Sequence, residues 1–157
     1  MRPLRNPCDT LQNAAHIERR NLLEVDSAPR KRGFGRTVLV VDDNVPIRKM
    51  LATTFLSEGF ETCGQAANGT EAIELAQQIK PDLITMDFSM PGISGLVASS
   101  ALRKIFPKVP IILLTLYASK ILEVEAAKVG ISVVLSKTVS LYVLMDIAHE
   151  LMGRLTL

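Results

Sequence analysis

Acidic side chains close two apolar runs of this chain, and a hydroxyl and an amine close two more. Val38-Leu-Val-Val-Asp-Asp-Asn44 ends in Asp42 and Asp43, and Leu83-Ile-Thr-Met-Asp-Phe-Ser-Met-Pro-Gly92 carries Asp87. Each acid follows a short run rich in β-branched and aliphatic residues, the mark of a strand buried in a parallel sheet. Acids at the carboxyl ends of such strands converge on the crevice where open α/β sheets bind ligands. Clustered carboxylates repel one another, and a hard divalent cation with oxygen ligands offsets that cost. Downstream, Ile111-Ile-Leu-Leu-Thr115 ends in a hydroxyl and Val133-Val-Leu-Ser-Lys137 in an amine. An acid pair, a lone acid, a hydroxyl and an amine suit one phosphoryl group carried on a carboxylate.

The elements that must position these groups alternate from Thr37 onward. Strands are predicted at Thr37–Val41, Glu61–Ala66, Leu83–Met86, Pro110–Thr115 and Ser132–Leu135. Helices are predicted over Val45–Glu58, Gly69–Gln78, a Ser94-capped segment to Ile105, Ser119–Lys128 and a Ser140-capped segment through Leu155. Ile47, Met50, Leu51, Thr54 and Phe55 recur at helical spacing, and Pro46 fits a first turn. Strand–helix alternation of this kind predicts a flavodoxin-like five-stranded parallel sheet, order 2-1-3-4-5, with five helices on two faces. The first and third strand ends then flank the switch point, where Asp42, Asp43 and Asp87 meet.

Composition sets the bounds. The 157 residues allow one domain and a short appendage, and 48% apolar with 22% charged residues suits a globular core. No apolar run reaches the roughly 18 residues of a membrane span, and the start, Met1-Arg-Pro-Leu-Arg-Asn, does not read as a secretory signal. Cys8 and Cys63 form neither a metal spacing nor a disulfide framework, which points to a cytoplasmic protein. The net charge of +2 hides an asymmetry: residues 1–36 hold eight basic against four acidic residues, and the remainder ten against twelve. Residues 1–35 therefore read as a basic N-terminal extension, flexible at Pro29–Gly35, with a marginal amphipathic helix at Thr10–Glu24. Residues 36–157 read as the folded domain.

In order and spacing, Val-Val-Asp42-Asp43-Asn, Asp87-Phe-Ser-Met-Pro-Gly-Ile-Ser-Gly95, Leu-Leu-Thr115 and Leu-Ser-Lys137 resemble the receiver domain of two-component response regulators. The resemblance covers residues 37–157. It implies that Asp87 accepts a phosphoryl group from a sensor histidine kinase, a phosphotransfer protein or a small phosphodonor. It implies Mg²⁺ held by Asp43, Asp87 and the Ser89 backbone carbonyl, with Asp42 acting through water. Thr115 and Lys137 would bind phosphoryl oxygens. The implied output is a downstream protein or a homodimer, met through the face of the fourth helix, fifth strand and fifth helix. The chain would be a signalling switch with its own phosphoryl-transfer and autodephosphorylation chemistry, not a metabolic enzyme. Nucleic-acid binding is not expected without a separate output domain.

Each signal also has a plainer reading. Asp42-Asp43-Asn44 alone is a helix N-cap cluster, Lys137 alone a solvated lysine and Thr115 alone a strand residue. Met90-Pro91-Gly92 is expected to shape the loop and keep Asp87 exposed. Three positions depart from the family pattern. Leu116 replaces a small residue and is expected to narrow access to Asp87, slowing phosphorylation and hydrolysis. Val134 replaces an aromatic readout residue, a place Tyr117 could take. Thr138 replaces proline, so a trans bond is expected after Lys137. The Leu-Ser-Lys-Thr pattern resembles the subclass that precedes LuxR-type helix-turn-helix domains. Leu116 and Val134 also suit a degenerate receiver that binds proteins without phosphorylation. An aspartate-nucleophile phosphatase is disfavoured because Ser89 stands where that class needs a second acid.

Overall fold

A computed structural model describes residues 36–154. The expectations for Cys8, Thr10–Glu24, Pro29–Gly35 and Leu155 lie outside the described residues. Five strands, β1 (Thr37–Val41), β2 (Glu61–Ala66), β3 (Leu83–Asp87), β4 (Ile111–Thr115) and β5 (Val133–Ser136), alternate with five helices. These are α1 (Val45–Ser57), α2 (Gly69–Ile79), α3 (Gly95–Ile105), α4 (Lys120–Lys128) and α5 (Leu141–Arg154). All pairings are parallel and the order is β2-β1-β3-β4-β5. Because β1 and β3 are neighbours, with Val41 opposite Met86, Asp42 just past β1 and Asp87 at the end of β3 emerge side by side.

Side-chain alternation divides the core in two. Leu39, Val41, Ile84, Met86, Ile111 and Leu113 face Ala72 and Ala76 of α2, Ala98 and Leu102 of α3, and Leu122 and Ala126 of α4. Val38, Val40, Leu83, Ile112 and Leu114 face Leu51 and Phe55 of α1 and Leu144, Met145, Ala148 and Met152 of α5. Four helices begin at side-chain caps whose oxygens accept the backbone N–H three residues on: Asn44, Asn68, Ser94 and Ser119. Ser140 accepts from Val143 N–H in the same way ahead of α5.

In secondary structure, differences from the sequence expectations are confined to element ends. Pro110 lies outside β4: it has no N–H for the ladder, although its carbonyl accepts from Ile84 N–H at 3.0 Å. The third strand continues through Asp87, which pairs with Leu114. The fifth begins at Val133 rather than Ser132, whose hydroxyl instead accepts from Ile111 N–H. Glu58 closes α1 as its C-cap rather than as its last residue.

Two glycines shape the loop after β3. Gly92 has φ +83°, a left-handed conformation that an L side chain resists. Gly95 N–H donates to the Phe88 carbonyl at 2.9 Å. A Cβ on Gly95 would lie 2.2 Å from the Asp87 carbonyl oxygen and 2.9 Å from Phe88 Cα. Only glycine lets α3 start this close to the strand end. At the other end of α3, Arg103 Nε and Nη2 donate to the Gly130 carbonyl at 3.0 and 2.7 Å, fastening α3 to the loop after α4. Gly95→Ala must move backbone and should cost about 3 kcal/mol or more. Gly92→Ala meets no neighbour and should cost only about 1 kcal/mol of backbone strain. Urea unfolding of the two variants should rank them in that order.

Candidate functional site

The site is assembled by strand ends and by one lysine. Asp42 directly follows β1, is fully buried, and accepts from Asn44 N–H at 2.8 Å. Arg48 of α1 donates to the Asp42 backbone carbonyl at 2.7 Å and so ties the β1–α1 turn to the helix. Asp43, one residue on, is exposed. Asp87 is only 2% exposed and accepts from Ser89 N–H at 3.2 Å. Ser89 is exposed. Carboxylate oxygens of Asp42, Asp43 and Asp87, one from each, all lie within 4.8 Å of one another.

Lys137 reaches across from the end of β5. Its Nζ is 2.9 Å from Asp42 Oδ2 and 3.0 Å from Asp87 Oδ1, and its side chain is largely buried. The backbone fixes its origin, because Lys137 N–H donates to the Thr115 carbonyl at 2.7 Å. Thr115 pairs with Ser136 at the end of the β4–β5 ladder. Its hydroxyl is buried and accepts from Tyr117 N–H at 3.2 Å. Thus Asp42, Asp43, Asp87, Thr115, Lys137 and Ser89 all fall at one edge of the sheet. Of the sequence-level expectations, the exposure of Asp87 is corrected. Its strand lies between β1 and β4, and its carboxylate turns onto the Lys137 ammonium instead of into water.

Electrostatics follow from burial. Burial raises the Asp87 pKa to about 6; the Lys137 hydrogen bond opposes this, and the Asp42 charge adds to it. Burial alone would lower the Lys137 pKa, but its hydrogen bonds to Asp42 and Asp87 outweigh that and raise it. Three carboxylates against one ammonium leave the pocket short of positive charge. The donor set is all hard oxygen, two acids are held rigid by burial, and the exposed Asp43 leaves one side open. Those residues fit a hard divalent cation such as Mg²⁺.

At the three departures the structure is explicit. Leu116 is 61% exposed and Tyr117 84% exposed, so neither side chain is packed into the core. Val134 is half-buried against the α2–α4 side of the core. No cis peptide occurs among the described residues, so the Lys137–Thr138 bond is trans.

The comparisons agree with this geometry. A family model for the response regulator receiver domain matches residues 38–149. The chain belongs to the response regulator receiver family. It is similar to the chemotaxis protein CheY of Thermotoga maritima, 38% identical over 97 residues, covering 62% of this chain and 81% of that protein. It is 39% identical over 108 residues to the transcriptional regulatory protein PdtaR of Mycobacterium tuberculosis, covering 68% of this chain but 51% of PdtaR. Among solved structures, the receiver domain of the Francisella response regulator 1452 superposes with TM-score 0.71 at 31% identity, covering 76% of this chain and 98% of that one. Among the described residues, no helix is long and apolar enough to cross a membrane.

The pKa of Asp87 makes a stability prediction for the metal-free receiver. In the folded state it is about 6, against about 3.9 for an unfolded aspartate. Between those values the folded chain binds the extra proton, so stability falls as pH rises and stays low above about 6. Asp87→Asn escapes that loss. In chelator, Asp87→Asn should exceed the wild type in stability at neutral pH by about 1–3 kcal/mol, and the gap should close towards about pH 4. Urea unfolding across that range measures it; a gap independent of pH would rule out the assignment.

Proposed function

We propose that this receiver is a phosphorylation switch in two-component signal transduction, with Asp87 as the phosphoacceptor. The observation that carries the reading is the Lys137 ammonium held between Asp42 and Asp87 beside a third carboxylate. Above about pH 6, Asp87 is ionised and nucleophilic. One of its oxygens attacks the phosphorus of a phosphohistidine or a small acyl phosphate. A P–O bond forms to Asp87, the donor's bond to phosphorus breaks, and the leaving group keeps the electron pair. The product carries about −1.5 to −2 charge and three acceptor oxygens. Lys137 can transfer its contact from the Asp87 carboxylate to one of those oxygens. The Thr115 hydroxyl, now accepting from Tyr117 N–H, can turn and donate to another.

Asp43, Asp87 and the Ser89 carbonyl would hold Mg²⁺, with Asp42 acting through water. When bound, the ion supplies charge neutralisation for the acids and the phosphoryl oxygens. The donor would be a histidine kinase or phosphotransfer protein in the cytoplasm. The output would be a protein or a second copy of the chain meeting the α4–β5–α5 face, where Ile121, Val124 and Tyr142 are exposed. The same acyl phosphate would hydrolyse slowly by itself, which makes the chain a switch and not a metabolic enzyme. Leu135-Ser136-Lys137-Thr138 supports a place near receivers that precede LuxR-type domains. We take residues 36–157 as the receiver unit and 1–35 as a basic extension.

A second reading, a phosphorylation-independent binding module, draws on the burial of Asp87 and the exposed bulk at Leu116. Intact mass after incubation with acetyl phosphate and Mg²⁺ separates the two. The switch predicts a gain of one phosphoryl group, lost in Asp87→Asn and in chelator. It also predicts a rate reduced by about 100-fold in Lys137→Met. A wild type that gains no mass leaves the binding module.

A further inference from the structure

Lys137 has a long side chain, so where its ammonium sits depends on how its backbone is held. In this chain the residue after it is threonine, and the turn that carries it is built from hydroxyls. Ser136 Oγ and Thr138 Oγ1 lie 2.7 Å apart, one hydroxyl donating to the other. Ser136 Oγ also accepts from Thr138 N–H at 3.2 Å. Val139 N–H donates to the Ser136 carbonyl at 3.1 Å, closing the turn over residues 136–139. These bonds bracket Lys137 on both sides. Within the same turn, Lys137 N–H is committed to the Thr115 carbonyl, and Ser136 is the ladder partner of Thr115.

Thr138 is exposed and Ser136 half-buried. A hydroxyl pair at such a surface contributes the net worth of one hydrogen bond to global stability, a shift small but measurable in urea. Its effect is on geometry: it removes freedom from the two residues that flank the amine. A small misplacement of a group that must meet developing charge costs rate out of proportion to stability.

We propose that Ser136 and Thr138 are positioning residues, a hydroxyl clasp that sets the Lys137 ammonium between Asp42 and Asp87. This rests on the reading of Lys137 as the amine that meets the phosphoryl group. The clasp acts through Lys137 and touches no substrate.

The test uses the full chain in two measurements. With acetyl phosphate and Mg²⁺, Thr138→Val, which keeps the shape and removes the hydroxyl, should slow phosphorylation of Asp87 by about 2- to 10-fold, the worth of one hydrogen bond. Thr138→Ser, which keeps the hydroxyl, should stay within about twofold of wild type on the same scale. In chelator, the urea midpoint shift caused by Thr138→Val should fall to half or less when Lys137→Met is already present, because the clasp then has no ammonium to aim. A Thr138→Val rate equal to wild type, or a slow Thr138→Ser, overturns the proposal. So does a midpoint shift of which more than half survives in the Lys137→Met background. If the wild type takes no phosphoryl group, the reading of Lys137 falls, and the metal-free comparison still decides whether the clasp acts on that side chain.

Discussion

One ammonium stands between two buried carboxylates, and the rest of the molecule is arranged to keep it there. Asp42 and Asp87 are almost wholly removed from water, where an unpaired charge is costly. Lys137 Nζ lies within 3.0 Å of both. Losing it would leave two like charges facing each other in a poorly solvated pocket, a defect that typically costs about 3–5 kcal/mol. The sheet order is what permits the contact. Asp42 and Asp87 come from adjacent strands, and Lys137 from the edge strand two places beyond β3. An exchange of β1 with β2 would separate the acids.

The core positions this pocket from both faces. Alternating residues of β1, β3 and β4 lock the sheet between α1 and α5 on one side and α2, α3 and α4 on the other. The strand ends therefore have little freedom to drift. Gly95 brings the packing up to the chemistry: the start of α3 presses on the Asp87–Phe88 backbone, with no room for a methyl group. Arg103 and Gly130 hold the far ends of α3 and α4 together. A shift of α4 would therefore be taken up most easily at its amino end, next to Thr115 and Tyr117.

Much of this was legible in the sequence, for a physical reason. Short apolar runs ending in Asp, Thr or Lys are local patterns, and a parallel sheet places every strand end on one edge. The five strands, the order and the convergence of the named side chains follow from that. What the pattern could not supply were facts that depend on partners far along the chain. Asp87 looked exposed because its loop holds Met90, Pro91 and Gly92. It is buried because a lysine fifty residues later closes over it. That the Tyr117 ring stands in solvent is likewise not readable from its spacing. The Thr115–Tyr117 bond, the Arg48 contact with the Asp42 carbonyl and the Ser136–Thr138 pair are side-chain geometry that residue spacing does not encode. Gly95 was visible only as the last residue of the Asp87–Gly95 motif. Its need to be glycine comes from the distance to Asp87.

The same burial that makes Asp87 a costly charge makes it useful. A carboxylate lifted to about pKa 6 is more basic than a solvated one yet still ionised at neutral pH, which suits a nucleophile. The pocket holds three acids against one amine, and so favours arrivals that bring positive charge. A phosphoryl group would bring more negative charge, so holding it would call on the nearby donors as well as on a bound cation. Two side-chain donors stand at the site: Lys137, committed to the acids, and the Thr115 hydroxyl, whose oxygen accepts from Tyr117 N–H. If that hydroxyl swings towards a bound phosphoryl group, its oxygen leaves Tyr117 N–H, at the loop that leads into α4. On the proposed reading, phosphorylation inside the pocket would thereby be converted into a backbone rearrangement at the surface. The size of the resulting shift is bounded by the difference between the bonds given up and those gained.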